Sequence, residues 1–213
     1  MKFKSLILCA ILCSQSDSLF SQDLNAIFEA GTPISWLGLD FTKAKFTGDA
    51  VRFKDDDAVY KLIEDLNTLM LAESEKYNIP EAFEKTHVEN VFDVTAKRNR
   101  TLKADDIRSD AMSNFSSLSE DDVKEIVAGY DFMGTKGIGL MFIIDNFNKV
   151  TVEGSMWITF VNMDTKKIIL ANRLTNKPVG FGVRNYWAGS IYGVLKKIKN
   201  GGYKTWKKKY YNK

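Results

Sequence analysis

The chain has 213 residues, with 30 basic against 27 acidic side chains and a formal net charge of +3, a length at which one domain buries its core without covalent staples. It holds 2 cysteines and 1 histidine, so any site built on two imidazoles is excluded, His-rich zinc and di-iron centres among them. Both cysteines, Cys9 and Cys13, stand in the first 21 residues, and the rest of the chain can form no disulfide, thiol nucleophile or zinc–thiolate site.

Lys2 and Lys4 make a short positive start, Ser5 to Cys13 is apolar, and Ser14 to Ser21 is small and polar. Such an apolar run is too short for a membrane-spanning helix, which needs about 20 residues, and the three parts together are those of a cleavable export signal. Residues 1–21 are therefore predicted to be removed, leaving Gln22 first; cleavage after Ser18 fits the small-x-small pattern as an alternative. A lipoprotein signal would lipidate Cys9 or Cys13, but Leu8 and Leu12 before them are too large for that site. The expected location is periplasmic or extracellular, and an exported chain without disulfides suits a bacterial envelope.

Ile34 to Phe46 reads as a first strand, opening after Gly31-Thr32-Pro33. Val59, Leu62, Ile63, Leu66, Leu69 and Met70 then form one apolar helical stripe, with Asp55, Asp56 and Asp57 at its start and Asn78-Ile79-Pro80 expected to stop it. Residues 81–118 are poorly legible: Val88 to Thr95 suits a strand or a short helix, and Lys97 to Ser117 has no period. Ser119 and Asp122 make a capping box before a helix lined by Val123, Ile126, Val127 and Tyr130, which is expected to end near Gly129. Ile138 to Asp145 is apolar on both faces, as in a central strand covered on both sides. Asn146 to Lys149 reads as a turn into a strand over Thr151 to Met163, and Asp164 to Lys167 as a turn into Ile168 to Leu174. Trp187, Ile191, Val194, Leu195 and Ile198 mark a last amphipathic helix, with Gly201-Gly202 expected to end it. The order predicts an α/β (α+β) fold over residues 22–202: a single mixed β-sheet with a C-terminal three-strand meander, covered by amphipathic helices. Residues 203–213 follow as a basic, aromatic tail.

The helix-to-strand passage from Tyr130 to Asp145, the strand ending Phe160-Val161-Asn162-Met163-Asp164, the Thr165-Lys166 turn and the C-terminal helix carry a resemblance. With the first strand Trp36-Leu37-Gly38-Leu39-Asp40-Phe41, they resemble the periplasmic α/β domain of the curli secretion-channel lipoprotein and of the lipoprotein activators of penicillin-binding proteins. The resemblance is topological, covers about 120 residues, and implies a scaffold without transferring any catalytic residue. The lipidated cysteine of those families has no counterpart at a suitable site here.

His87 lies in a charged context (Glu84 to Glu89) and reads as a surface or cap histidine. Gly134, Gly137 and Gly139 follow a helix and lead into a strand, the reverse of a dinucleotide loop. The turn before the last helix has the right order for an anion site: Gly180, Gly182, Arg184, Asn185 and Trp187 are candidate ligand-binding residues, with glycines for the turn and Trp187 as the core alternative. The acidic runs Asp55–Asp57, Asp105-Asp106 and Glu120–Asp122 fall at helix starts or in polar loops, not in a glycosidase-like pair. From Lys196 onward there are eight lysines and no acid. Lys204, Trp206, Lys207, Lys208, Lys209 and Tyr210 are candidate membrane-surface residues in a tail expected to pack loosely. No metal or cofactor is expected. The expected role is an exported, non-catalytic envelope protein acting through binding or assembly, with envelope proteins or an anionic membrane surface as partners and no nucleic acid. The alternatives are a small-molecule or glycan-acting enzyme using carboxylates, or an anionic-ligand binder using the 180–187 turn.

Overall fold

The computed structural model describes residues 23–48, 53, 55–109 and 117–212; the predicted export signal and both cysteines lie outside these. In chain order the first half comprises β1 (Ile34–Asp40), β2 (Lys45–Thr47), α1 (Asp56–Ala72), α2 (Ile79–Ala82), β3 (Val88–Asn90), α3 (Asp93–Asn99), α4 (Ala104–Ile107) and β4 (Arg108–Ser109). The second half comprises α5 (Glu120–Ala128), β5 (Ile138–Asn148), β6 (Glu153–Asn162), β7 (Lys167–Asn176), α6 (Val183–Lys197) and α7 (Tyr203–Tyr210). This is the α/β class that the sequence predicts.

β5 is the spine of the sheet. Along one side, β1 and then β2 run parallel to it, Ser35 to Asp40 beside Gly139 to Ile143 and Lys45 to Thr47 beside Asn146 to Asn148. β3 and β4 pair in parallel with the outer sides of β1 and β2. On its other side β5 joins β6 and β7 in an antiparallel meander. Strand residues alternate between two apolar layers. Trp36, Leu140, Phe142, Ile158 and Phe160 face a core shared with α1, α6 and α7. Leu37, Met141, Ile143 and Val161 face a smaller one under α5 and Val94 of α3. Burial of both faces explains why β5 is apolar from Ile138 to Ile144.

Several boundaries differ from the sequence reading, each for a local reason. The single strand expected over 34–46 is two strands, because the Asp40 carboxylate accepts from the Thr42 N–H at 2.9 Å and closes a turn, with Ala44 N–H bonded to Phe41 O. Asn146 to Asn148 extends β5 instead of turning, since β2 supplies a partner strand there. Asn78 does not stop a helix but caps one: its side chain accepts from Glu81 N–H, and Pro80 sits in the first turn of α2. The Ser119–Asp122 capping box is present as predicted.

The structure differs most over residues 203–213, where the sequence predicts a loosely packed tail. The chain does not stop at Gly201-Gly202 but kinks there, Gly201 taking φ 129, and continues into α7. Tyr203 and Trp206 are buried in the large core, Trp206 with 8% of its surface exposed. The spacing of Tyr203, Trp206 and Tyr210 puts three aromatic rings on one helical face. The Tyr203 hydroxyl donates to Ile27 O, and its ring meets Phe28 and Phe83 at centroid distances of 5.5 and 5.6 Å.

Candidate functional site

β3 covers the outer edge of β1 only as far as Trp36. Beyond it, backbone groups that a neighbouring strand would satisfy are met by side chains of two helices. The Thr95 hydroxyl of α3 donates to Leu37 O. Asn67 of α1 accepts from Leu39 N–H at 2.8 Å and donates to Leu39 O at 3.2 Å. Asn99 of α3 donates to Leu39 O at 2.9 Å and accepts from Phe41 N–H at 2.9 Å. Carboxamides carry a donor and an acceptor in the spacing of a peptide group, so two of them replace a strand. Gly38 makes the approach possible: it adopts φ +92, and a Cβ there would lie 2.7 Å from Asn67 Oδ1 and 2.9 Å from the Phe92 ring.

Outside this stitched edge, α1 and α3 bound a cleft of about 490 Å³, within the size range of small-molecule sites. Tyr60, Glu64, Asn67, Thr68 and Leu71 line it from α1, a helical stripe beside the core stripe; Phe92, Ala96, Asn99 and Arg100 line it from α3 and its ends. Phe92 is held edge-on against Trp36 at 5.9 Å, which fixes one wall. Glu64 and Arg100 are both exposed on this lining, and the side chain of neither has a partner among the described residues. The apolar period from Val59 to Met70 marks only the core stripe. Tyr60 and Leu71, apolar residues just off that stripe and 38% and 41% exposed, were the signal of a second face.

Two buried carboxylates lie on the opposite face of the sheet. Asp40 accepts from Thr42 and from the Tyr130 hydroxyl; burial, reinforced by Asp40, holds the Tyr130 pKa well above its ordinary value. Asp145 accepts from Leu118 N–H and Ser155 Oγ at 2.9 Å and from Arg173 Nε at 2.7 Å. These bonds tie the residues before α5 and strands β6 and β7 to β5, which is structural work.

Of the residues predicted at the turn before α6, three come together. Gly180, Arg184 and Asn185 line a recess of about 280 Å³ with Tyr77 and Tyr192. Arg184 Nε and Nη2 donate to Asn185 Oδ1 at 3.1 Å. Gly182 caps α6 without a side-chain bond, and Trp187 turns inward to stack on Phe147 at 4.7 Å. Of the predicted surface residues, Lys204, Lys208 and Lys209 are exposed, Lys207 and Tyr210 half-buried, and Trp206 buried. Lys207 and Lys209 lie over the rings of Tyr211 and Tyr210 at 5.3 and 4.7 Å. His87 is exposed, and its carbonyl accepts from Ile34 N–H. Asp55 caps α1, and Asp56 and Asp105 both pair with Arg108. Among the described residues no helix is long and apolar enough to cross a membrane. No protein-family model matches the chain, and no curated protein matches it either.

Proposed function

We propose that the protein is an exported, non-catalytic binding protein of the bacterial envelope, and that the α1–α3 cleft takes its ligand. The observation that carries this reading is the cleft itself: apolar walls from Tyr60, Ile63, Leu71 and Phe92, with an acid and a base on the lining whose side chains have no partner among the described residues. Its floor amides, Asn67 and Asn99, are committed to β1, so they hold the shape and leave recognition to the walls and to Glu64 and Arg100. Such a surface suits a small amphipathic molecule bearing both charges, as an apolar dipeptide does: a carboxylate for Arg100, an ammonium for Glu64 and side chains for the apolar walls. Export rests on the predicted signal over residues 1–21.

Isothermal titration with leucyl-phenylalanine, its N-acetyl form and its amide tests the reading. The zwitterion should bind, and capping either end should weaken binding about tenfold or more, the size of one lost charge-assisted hydrogen bond. Arg100→Gln should erase the difference between acid and amide, and Glu64→Gln the difference between amine and acetyl forms. Equal binding of all three forms, or none, contradicts the reading.

A further inference from the structure

Four exposed apolar side chains gather at one end of the sheet. Gly154 at the start of β6 lies opposite Asn176 at the end of β7, so the β5–β6 turn (149–152) and the β7–α6 loop (177–182) leave the sheet together. Lys149 Nζ, 5.5 Å from the centre of the Tyr186 ring, ties the turn to α6. The two segments present Phe181, 95% exposed, Val179, 65%, Val150, 58%, and Val152, 42%.

This exposure is built, not slack. The loop is seated on α6 where Gly189 and Gly193 leave room: a Cβ at Gly189 would collide with the Val179 carbonyl, and one at Gly193 with the Asn176 amide. A backbone fixed so closely still turns its largest ring to solvent. Val152 is a β-branched residue at φ 56, where glycine or asparagine would be less strained. The core gains nothing from Phe181 at this exposure, and the backbone gains nothing from a branched side chain at Val152, so contact outside the molecule is the use left for them.

The charge at this end is complementary to an anionic surface. Lys177 and Arg184 are exposed and have no acidic partner among the described residues. Within residues 149–153 and 177–184, Lys149, Lys177 and Arg184 stand against one acid, Glu153. One aromatic ring of at most about 250 Å² and three valines fall short of the roughly 800 Å² per partner that a stable protein interface buries. A small group of apolar tips among cations instead matches a headgroup boundary, where rings enter the acyl edge and cations meet phosphates. We infer that this end docks the protein on an anionic lipid surface, Phe181 and Val179 entering the boundary and Lys177 and Arg184 holding headgroups, without the α7 lysines.

The test uses the full chain carrying Phe181→Trp, with vesicles of phosphatidylglycerol and phosphatidylcholine against phosphatidylcholine alone. Anionic vesicles should blue-shift the added tryptophan's emission relative to wild type, and lipids brominated in the acyl chain should quench it. Cosedimentation should fall at least tenfold in Phe181→Ser and in Lys177→Glu/Arg184→Glu, with the melting temperature kept. Lys208→Glu/Lys209→Glu and the cleft-filling Ala96→Trp should leave the difference between wild type and Phe181→Ser unchanged. An unshifted emission overturns the proposal. So does cosedimentation lost with the α7 lysines but not with Phe181, or a shift that grows with protein concentration in the absence of lipid, the sign of a protein partner.

Discussion

On leaving α6 the chain turns at Gly201 and lays Tyr203 and Trp206 into the large core; on approaching α6 it turns at Gly180 and leaves Phe181 in solvent. Both segments combine aromatic and basic residues, and composition alone assigns both to the surface. Spacing separates them. Tyr203, Trp206 and Tyr210 repeat at a helical interval and make a face that burial rewards. Val179 and Phe181 flank Gly180 in a turn that no helical face can absorb. Aromatic–basic segments are therefore told apart by whether the rings share a face, not by how many there are.

Four measurements sharpen or break that contrast. Trp206→Ala should cost about 3–5 kcal/mol by chemical denaturation, the range for a buried large aromatic, while Phe181→Ser stays within about 0.5 kcal/mol. Equal losses would erase the distinction. Gly189→Ala should cost about 1–3 kcal/mol, as overpacking does, by displacing the Val179 backbone. Unchanged stability there would mean that the loop is not seated on α6.

The third measurement is a pH series. Lys85 is buried beside the N-terminal segment, donating to Ala26 O at 3.2 Å and Glu29 O at 2.6 Å. Burial pushes its pKa down from 10.5 to about 8, with Glu29 opposing and Lys207 of α7 adding to the shift. A base with a depressed folded-state pKa carries fewer protons folded than unfolded between those values, so its contribution to stability rises with pH from about 8 to 10.5. Relative to Lys85→Met, the wild type should gain on the order of 2 kcal/mol across that window. The variant is the needed reference, because the buried Tyr203 hydroxyl, its pKa held above the ordinary value, makes stability fall at higher pH in both proteins. A flat difference would mean that Lys85 is solvated and that α7 docks less closely. The smallest effect is expected for Lys208→Ala: both faces of the contrast leave that lysine in solvent, and its melting temperature should match the wild type.

The sequence disclosed what local rules determine. The capping box at Ser119, the core stripe of α1 and the two-sided apolar run of β5 were legible because each depends on residues within one element. The capped edge of β1 was not, since it depends on two asparagines 28 and 60 residues from Leu39 in sequence. The helix α3 was obscured for the same reason: its inward residues Val94, Thr95 and Asn99 include two polar side chains that serve the edge of β1. The cleft inherits this difficulty, because its walls come from separate helices and its floor residues are polar for the sake of the fold.

Amide NMR of the full chain titrated with leucyl-phenylalanine tests the binding reading most directly, because it reports where the molecule sits as well as whether it binds. Saturable shifts confined to Glu64, Thr68, Leu71, Phe92, Ala96 and Arg100, the cleft lining, and lost in Ala96→Trp, are the predicted result. Shifts at Phe181 or around Arg184 instead, or none at millimolar dipeptide, would contradict it.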